Sequence, residues 1–171
     1  MNRETVWGYP RHVHRYQRML GRLGSWSPFR WLLSKVLSPL DLRLRDSRFA
    51  PSKLGVDYPL GYLTTTGRTS GEPRTVPLLF CELPFDGDRV RYAVAATNFG
   101  TKHHPGWSYN LDAAPVATFE IEGANHTVTA ARLDGPEADI ARDRLRAIWP
   151  AYATYRDRTT RDIRIYTLTV T

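Results

Sequence analysis

The sequence predicts a mainly β protein with helices, an α+β fold in which antiparallel strands close into a barrel. Three observations carry that expectation. From Tyr58 onward, six runs rich in β-branched and aromatic residues alternate in the period-2 manner of half-buried strands. Most are joined by short turns holding Gly, Pro or Asp, so neighbouring strands must pair antiparallel. Helical periodicity interrupts the strands in only two places.

Taken in order, residues 5–23 are basic, with Arg11, Arg15, Arg18 and Arg22 at helical spacing. After the Gly24-Ser25 break, Ser27 is suited to cap a second helix that Pro28 opens. Phe29, Leu32, Leu33, Val36, Leu37 and Leu40 then recur as an amphipathic stripe. The first strand is expected over Pro59–Thr66 and the second over Arg74–Leu83, followed by a turn at Pro84–Asp88 centred on Asp86-Gly87. Arg89–Ala96 alternates, with Val90, Tyr92 and Val94 on one face. Pro105–Asp112 reads as a short helix, and Ala117–Glu122 and Asn125–Arg132 as a hairpin about Gly123. Asp134-Gly135-Pro136 opens a longer helix with Ala141, Leu145 and Ile148 inward, and Pro150 ends it at Trp149. Ile163–Val170 is the last strand. Residues 1–50 thus form a helical extension and 51–171 one barrel domain.

Charge separates these two parts. Residues 1–50 hold ten Lys and Arg against Glu4, Asp41 and Asp46, leaving +7; the remaining fourteen of each sign cancel in 51–171. The whole net charge of +7 therefore belongs to the extension. That argues against a nucleic-acid groove on the barrel and for a partner of residues 1–50. Arginines, three tryptophans (Trp7, Trp26, Trp31) and an apolar stripe suit an anionic membrane surface. The competing reading packs the stripe on the barrel and leaves the arginines solvated. No run of about 18 apolar residues spans a bilayer, and no apolar segment resembles a secretory signal. Cys81 is the one cysteine, expected as a buried structural thiol in a reducing, cytoplasmic setting, peripheral to the inner membrane face if the extension docks there.

Chemistry concentrates in three segments. Between the first two strands lies Gly67-Arg68-Thr69-Ser70-Gly71-Glu72-Pro73-Arg74, whose glycines let backbone approach a ligand. Its hydroxyls donate, and its two guanidinium groups suit phosphate or carboxylate. This is an anion-binding loop, or alternatively a solvated basic hairpin tip. The second segment runs from Ala95 to Leu111, and the third is Trp149-Pro150-Ala151-Tyr152-Ala153-Thr154-Tyr155. His103 and His104 are adjacent with no carboxylate three or four residues away, so solvent-facing or capping roles outrank metal binding.

With Thr-Thr-Gly-Arg-x-Ser-Gly-x-Pro-Arg-x-x-Pro-Leu from Thr65, then Pro-x-Trp-x-x-Asn-Leu from Pro105, then the aromatic segment, the chain resembles the deazaflavin-dependent nitroreductase family from about Tyr58 to its end. That resemblance implies the FMN/F420-binding split β-barrel and coenzyme F420, with FMN as the alternative cofactor. It also implies hydride transfer to a small hydrophobic, electron-poor acceptor such as a quinone, nitroaromatic or enone. A homodimer is a further expectation from the family alone. On this resemblance Arg68, Thr69, Ser70, Arg74, Thr75, Val76, Pro77, Leu78 and Leu79 belong to the cofactor site. Ala95, Ala96, Thr97, Asn98, Gly106, Trp107, Ser108, Tyr109 and Asn110 complete it, and Tyr152 and Tyr155 face substrate. Thr69 stands where a lysine is frequent, Val76 where an asparagine is, and Trp149 where a tyrosine is. A non-catalytic cofactor-binding protein is the reading from another functional class.

Overall fold

In the computed structural model, the described residues are 58–150, 152–153, 155 and 159–171. Residues 1–57, 151, 154 and 156–158 lie outside them. The helices expected around Arg11 and Phe29 lie outside the described residues.

Six strands form a closed barrel in the order β1-β2-β3-β6-β5-β4, every neighbouring pair antiparallel. They are β1 (Leu60–Thr66), β2 (Pro73–Asp86), β3 (Arg89–Ala95), β4 (Val116–Ile121), β5 (Ala124–Leu133) and β6 (Ile165–Val170). Two helices, α1 (Gly106–Ala113) and α2 (Gly135–Ile148), sit in the β3–β4 and β5–β6 connections. The expected α+β barrel is what the chain builds. Closure leaves no free sheet edge among these strands.

Most boundaries shift by one or two residues from the sequence reading, and the end of the second strand shifts most. β2 runs on to Asp86 instead of stopping at Leu83, and pairing resumes at Asp86–Arg89 after an irregularity beyond Leu83. Two residues of β2 there face one of β3, a β-bulge that absorbs Pro84, which has no N–H to give to the ladder. The turn shrinks to Gly87-Asp88, with Gly87 at φ 62°. In the β4–β5 turn Glu122 and Gly123 both take positive φ, as a two-residue hairpin matched to right-handed strand twist requires.

The pleat sorts the apolar residues into two layers. Inside the barrel lie Leu63, Phe80, Val94, Phe119, Val128, Tyr166 and Leu168, with Trp107 and Leu111 of α1 stopping one end. Phe80, Tyr92 and Phe119 meet edge to face at 5.2–5.8 Å between ring centres. Gly61 leaves room for this cluster, since a Cβ there would come within 2.3 Å of the Phe119 ring. The second layer lies outside the sheet. Cys81, Leu83, Ala93, Ala95 and Ile165 meet Ala138, Ala141 and Leu145 of α2, as the inward face read from the sequence requires. Cys81 is buried there, and desolvation pushes its thiol up to about 11, so it stays protonated and inert. Truncating Leu145 to alanine in this layer would cost about 2–5 kcal/mol.

Candidate functional site

The hairpin tip between β1 and β2 is closed by its own backbone. Gly67 N–H donates to Glu72 O at 2.8 Å, and Gly71 N–H donates to Gly67 O at 2.7 Å. Gly71 sits at φ 72°, and a Cβ on Gly67 would lie 2.7 Å from Ser70 Oγ, so both glycines are required by the turn. Glu72 N–H donates to Ser70 Oγ at 3.3 Å. Arg68, Thr69, Ser70 and Arg74 are all exposed on this tip.

Helix α1 holds the tip in place. Asn110 Oδ1 accepts the Arg68 N–H at 3.1 Å, while Asn110 Nδ2 donates to Thr65 Oγ1 at 3.0 Å. The Asn110 side chain is therefore a buried bridge and not a helix cap. Beside it the Arg68 guanidinium lies 4.9 Å from the centre of the Tyr109 ring, and that of Arg164 lies 5.1 Å from the same ring. Arg164 also bonds Asp112 Oδ2 at 3.0 Å, and Asp112 Oδ1 accepts from Arg132 Nε and from the Tyr166 hydroxyl, each at 2.9 Å. The Arg132 hydrogen bond, foremost, holds the Asp112 carboxyl below the usual range. Two of the three sequence segments thus meet on one basic end of the barrel. The second segment does so through Tyr109 and Asn110.

The remaining expected site residues divide. Within β2, Val76 and Leu78 point into the barrel core, on the same pleat side as Arg74. Thr75, Pro77 and Leu79 point the other way, Thr75 bonding Thr64 across the strands at 2.8 Å. The side chains of Pro77, Leu78 and Leu79 therefore belong to two faces and not to one wall. Ala96 and Trp107 are core residues, Trp107 standing edge-on to Tyr166 at 5.5 Å. Ser108 is fully buried, its hydroxyl donating to Pro105 O at 2.8 Å, while Gly106 has open space beside its Cα.

At the end of β3 the backbone turns left-handed for three successive residues, Asn98 (φ 43°), Phe99 (φ 54°) and Gly100 (φ 73°). For the two residues with side chains this conformation costs about 1–3 kcal/mol each. Asn98 Nδ2 donates to His103 O at 2.9 Å, so its amide steadies its own loop. The main restraint comes from Arg161, just before β6. Its guanidinium donates to Ala96 O at 3.1 Å, Thr97 O at 2.6 Å and Thr101 O at 2.9 Å, and to His104 Nδ1 at 3.0 Å. Because arginine only donates, His104 accepts at Nδ1 in its neutral form. Burial first, then the cations of Arg164, Arg161 and Arg132, lower the His104 pKa. The capping expectation for His104 thus becomes acceptance of an arginine, while His103 is exposed.

Tyr152 and Tyr155 lie on one side of their turn, ring centres 5.8 Å apart. Tyr155 is buried and meets Phe99 edge-on at 6.3 Å. Tyr152 packs against the outer layer under α2, and desolvation of its phenol raises its pKa well above the usual tyrosine value. It lines a cavity of about 480 Å³ together with Ala95, Thr97, Leu145, Arg161 and Ile163. This cavity joins the third segment to the end of β3. Trp107, in contrast, belongs to the interior layer, so Tyr152 and Trp107 do not share a cluster. No group of three or more metal-binding side chains exists among the described residues.

Of the residues that hold this site together, Thr65 opens the first motif, whereas Asp112, Arg161, Arg164 and Tyr166 belong to none. Arg161-Asp162-Ile163-Arg164 reads in sequence as an ordinary solvated lead-in to a strand.

A closed six-stranded antiparallel barrel with a glycine-framed basic hairpin pinned to a helix is a split-barrel architecture. Comparison with known proteins narrows it. Residues 51–170 match the model of the F420H(2)-dependent quinone reductase family, and the chain belongs to that family. It is 30% identical to an F420H(2)-dependent quinone reductase of Mycobacterium tuberculosis H37Rv over 154 residues, covering 82% of this chain and 96% of that protein. A solved F420-H2 dependent reductase superposes with TM-score 0.55 and 31% identity, covering 64% of this chain and 93% of the other. Another solved structure, described only as a domain-swapped dimer, gives TM-score 0.57 and 26% identity over 83% of this chain and 99% of the other. The protein is therefore an oxidoreductase of an F420-dependent family, and between F420 and FMN the cofactor is F420.

The residues present suit that group. Its anionic phosphate and carboxylates call for cations and hydroxyl donors at an exposed, preorganised place, and Arg68, Thr69, Ser70 and Arg74 supply both.

Proposed function

We propose that this protein reduces a quinone-class acceptor with hydride from reduced F420, and that the basic end of the barrel is where it holds the cofactor. The observation supporting this most directly is the Asn110 bridge, which locks the Arg68 backbone while its guanidinium rests on Tyr109. Preorganisation of this kind lowers the ordering cost of gripping an anion.

In this reading Arg68 and Arg74 clamp tail oxygens, and Thr69 and Ser70 donate hydrogen bonds to them. Thr75, Pro77 and Leu79 offer one flank for an apolar ring, and Val76 and Leu78 support the same strand from within. Ala95, Thr97 and Asn98 border the ring from the end of β3. Ala96, Gly106, Trp107 and Ser108 set the backbone of that border, Trp107 through the core. Bound reduced F420 supplies a hydride equivalent. Tyr152 and Tyr155 line the acceptor side, where a protonated phenol donates to charge developing on an acceptor oxygen. The closed aromatic packing of Phe99 on Tyr155 limits water there.

Nitroaromatics and enones share the electron-poor character of quinones and are further acceptors on the same grounds. The reading also places residues 1–50 at an anionic membrane surface, supported by the +7 concentrated in them. Homodimer formation is supported by the dimeric relative alone. Fluorescence titration with F420, then turnover with reduced F420 and menadione, tests the central reading; absence of F420 binding at tens of micromolar defeats it. Deleting residues 1–45 should abolish cosedimentation with anionic vesicles, and unchanged cosedimentation would reject the surface anchor.

A further inference from the structure

We infer that Arg161 is a positioning residue for the reaction, holding the Ala96–His104 loop in its left-handed shape and so fixing Thr97, Asn98 and Tyr155 relative to one another. This rests on the functional reading above for its consequence, though not for its geometry. From within, the loop is held by Asn98 Nδ2 and Thr101 Oγ1, which both donate to His103 O at 2.9 and 3.2 Å, and by two backbone bonds. Its own backbone closes with Gly100 N–H to Thr97 O at 2.9 Å and Thr101 N–H to Asn98 O at 3.1 Å. Positive φ at Asn98 and Phe99 opposes that arrangement.

Arg161 counters the strain from outside, spanning both sides of the turn. Nη1 and Nη2 take the carbonyls of Ala96 and Thr97 before it, Nε takes Thr101 after it, and Nη1 also meets His104. Only a guanidinium offers donors on three nitrogens in a fixed fork; an ammonium is a single point. The loop in turn presses on the acceptor side. A Cβ on Gly100 would lie 3.1–3.4 Å from Tyr155 O, Cα and Cβ, so the two backbones are in close contact. The Phe99 ring extends that contact to the Tyr155 ring. Moving the loop therefore moves the residues bordering the cofactor and the tyrosine together.

Hydrogen exchange on the cofactor-free protein tests the geometry. In Arg161→Met and in Arg161→Lys, the Gly100 and Thr101 amides should exchange at least about tenfold faster, while β4 and β5 amides stay protected. Turnover tests the consequence. Arg161→Ala should lose roughly tenfold or more in kcat with reduced F420 and menadione, and guanidinium added at low concentration should restore part of it where potassium does not. The cavity beside Arg161 gives that ion a way in. Unchanged loop exchange overturns the inference, as does full recovery of both readouts in Arg161→Lys. Wild-type protein that binds no F420 would sink the functional reading and leave the exchange result standing.

Discussion

Asn110 Oδ1 accepts the backbone N–H of Arg68 at 3.1 Å, joining residues 42 apart in sequence. The same amide donates to the buried Thr65 hydroxyl, so one side chain sets the height and angle of the hairpin tip above α1. On the proposed cofactor site, stability and grip on the cofactor tail are coupled through this contact. They can be separated by substitution.

Asn110→Ala removes both bonds and should destabilise the protein by about 1–3 kcal/mol. At this chain size that is roughly 2–4 °C in Tm per kcal/mol. Asn110→Asp retains an acceptor for Arg68, and Thr65 can donate to it, so its melting should stay closer to wild type. Its negative charge beside an anion site should nevertheless weaken F420 binding by about tenfold, some 1.4 kcal/mol. Equal losses of affinity in both variants, in proportion to Tm, would mean Asn110 acts through stability alone.

Arg68→Gln should lower F420 affinity by roughly tenfold and flatten its salt dependence, because a rim cation and its screening are removed together. A tail-less deazaflavin should bind the variant and the wild type alike. Loss of affinity for both ligands would move Arg68 from the tail to the ring.

Burial keeps the Tyr152 phenol protonated beyond the ordinary tyrosine range. A donor role is therefore fully available below pH about 10 and is lost only as pH rises past the raised value. Turnover should show no basic limb from this residue between about pH 7 and 10. Tyr152→Phe should cost about 10²–10⁴-fold in kcat. A loss below tenfold assigns Tyr152 to packing.

His104 titrates below its usual value in the folded chain, since burial and the facing Arg161, Arg164 and Arg132 disfavour the cation, against Asp162. The unfolded chain then binds more protons between the folded pKa and about 6.5. Its contribution is thus complete above pH about 6.5 and is lost as pH falls toward the folded value. Tm measured from pH 8 to 5 should fall more steeply for wild type than for His104→Asn, whose amide also accepts from Arg161. Parallel curves would show that the contact carries no pH dependence.

Thr167 is buried in β6, and its hydroxyl has no hydrogen-bond partner among the described residues. Thr167→Val keeps the shape and removes the unsatisfied group, so it should be neutral or stabilising by up to about 1 kcal/mol. Chemical denaturation checks this. A loss above that size would reveal a partner for the hydroxyl.

The strands, the hairpin tip, the helix from Gly135 to its stop at Trp149 and the inert Cys81 follow from the sequence itself. Each rests on local chemistry: period-2 alternation, glycine where φ must be positive, proline where a helix must end, and one thiol in an apolar run. The residue types of the basic loop and the aromatic pair also stand out locally, as candidates whose role the local sequence leaves open. Tertiary structure alone decided which of them meet. The pleat sent Leu78 inward and Leu79 outward, although they are neighbours in the chain. Closure of the barrel brought Arg161 and Arg164, unremarkable in sequence, onto the β3 loop and Tyr109. Hydrogen bonds such as Asn110 to Arg68 carry no sequence period, since their partners are chosen by how distant elements pack and not by anything beside them in the chain.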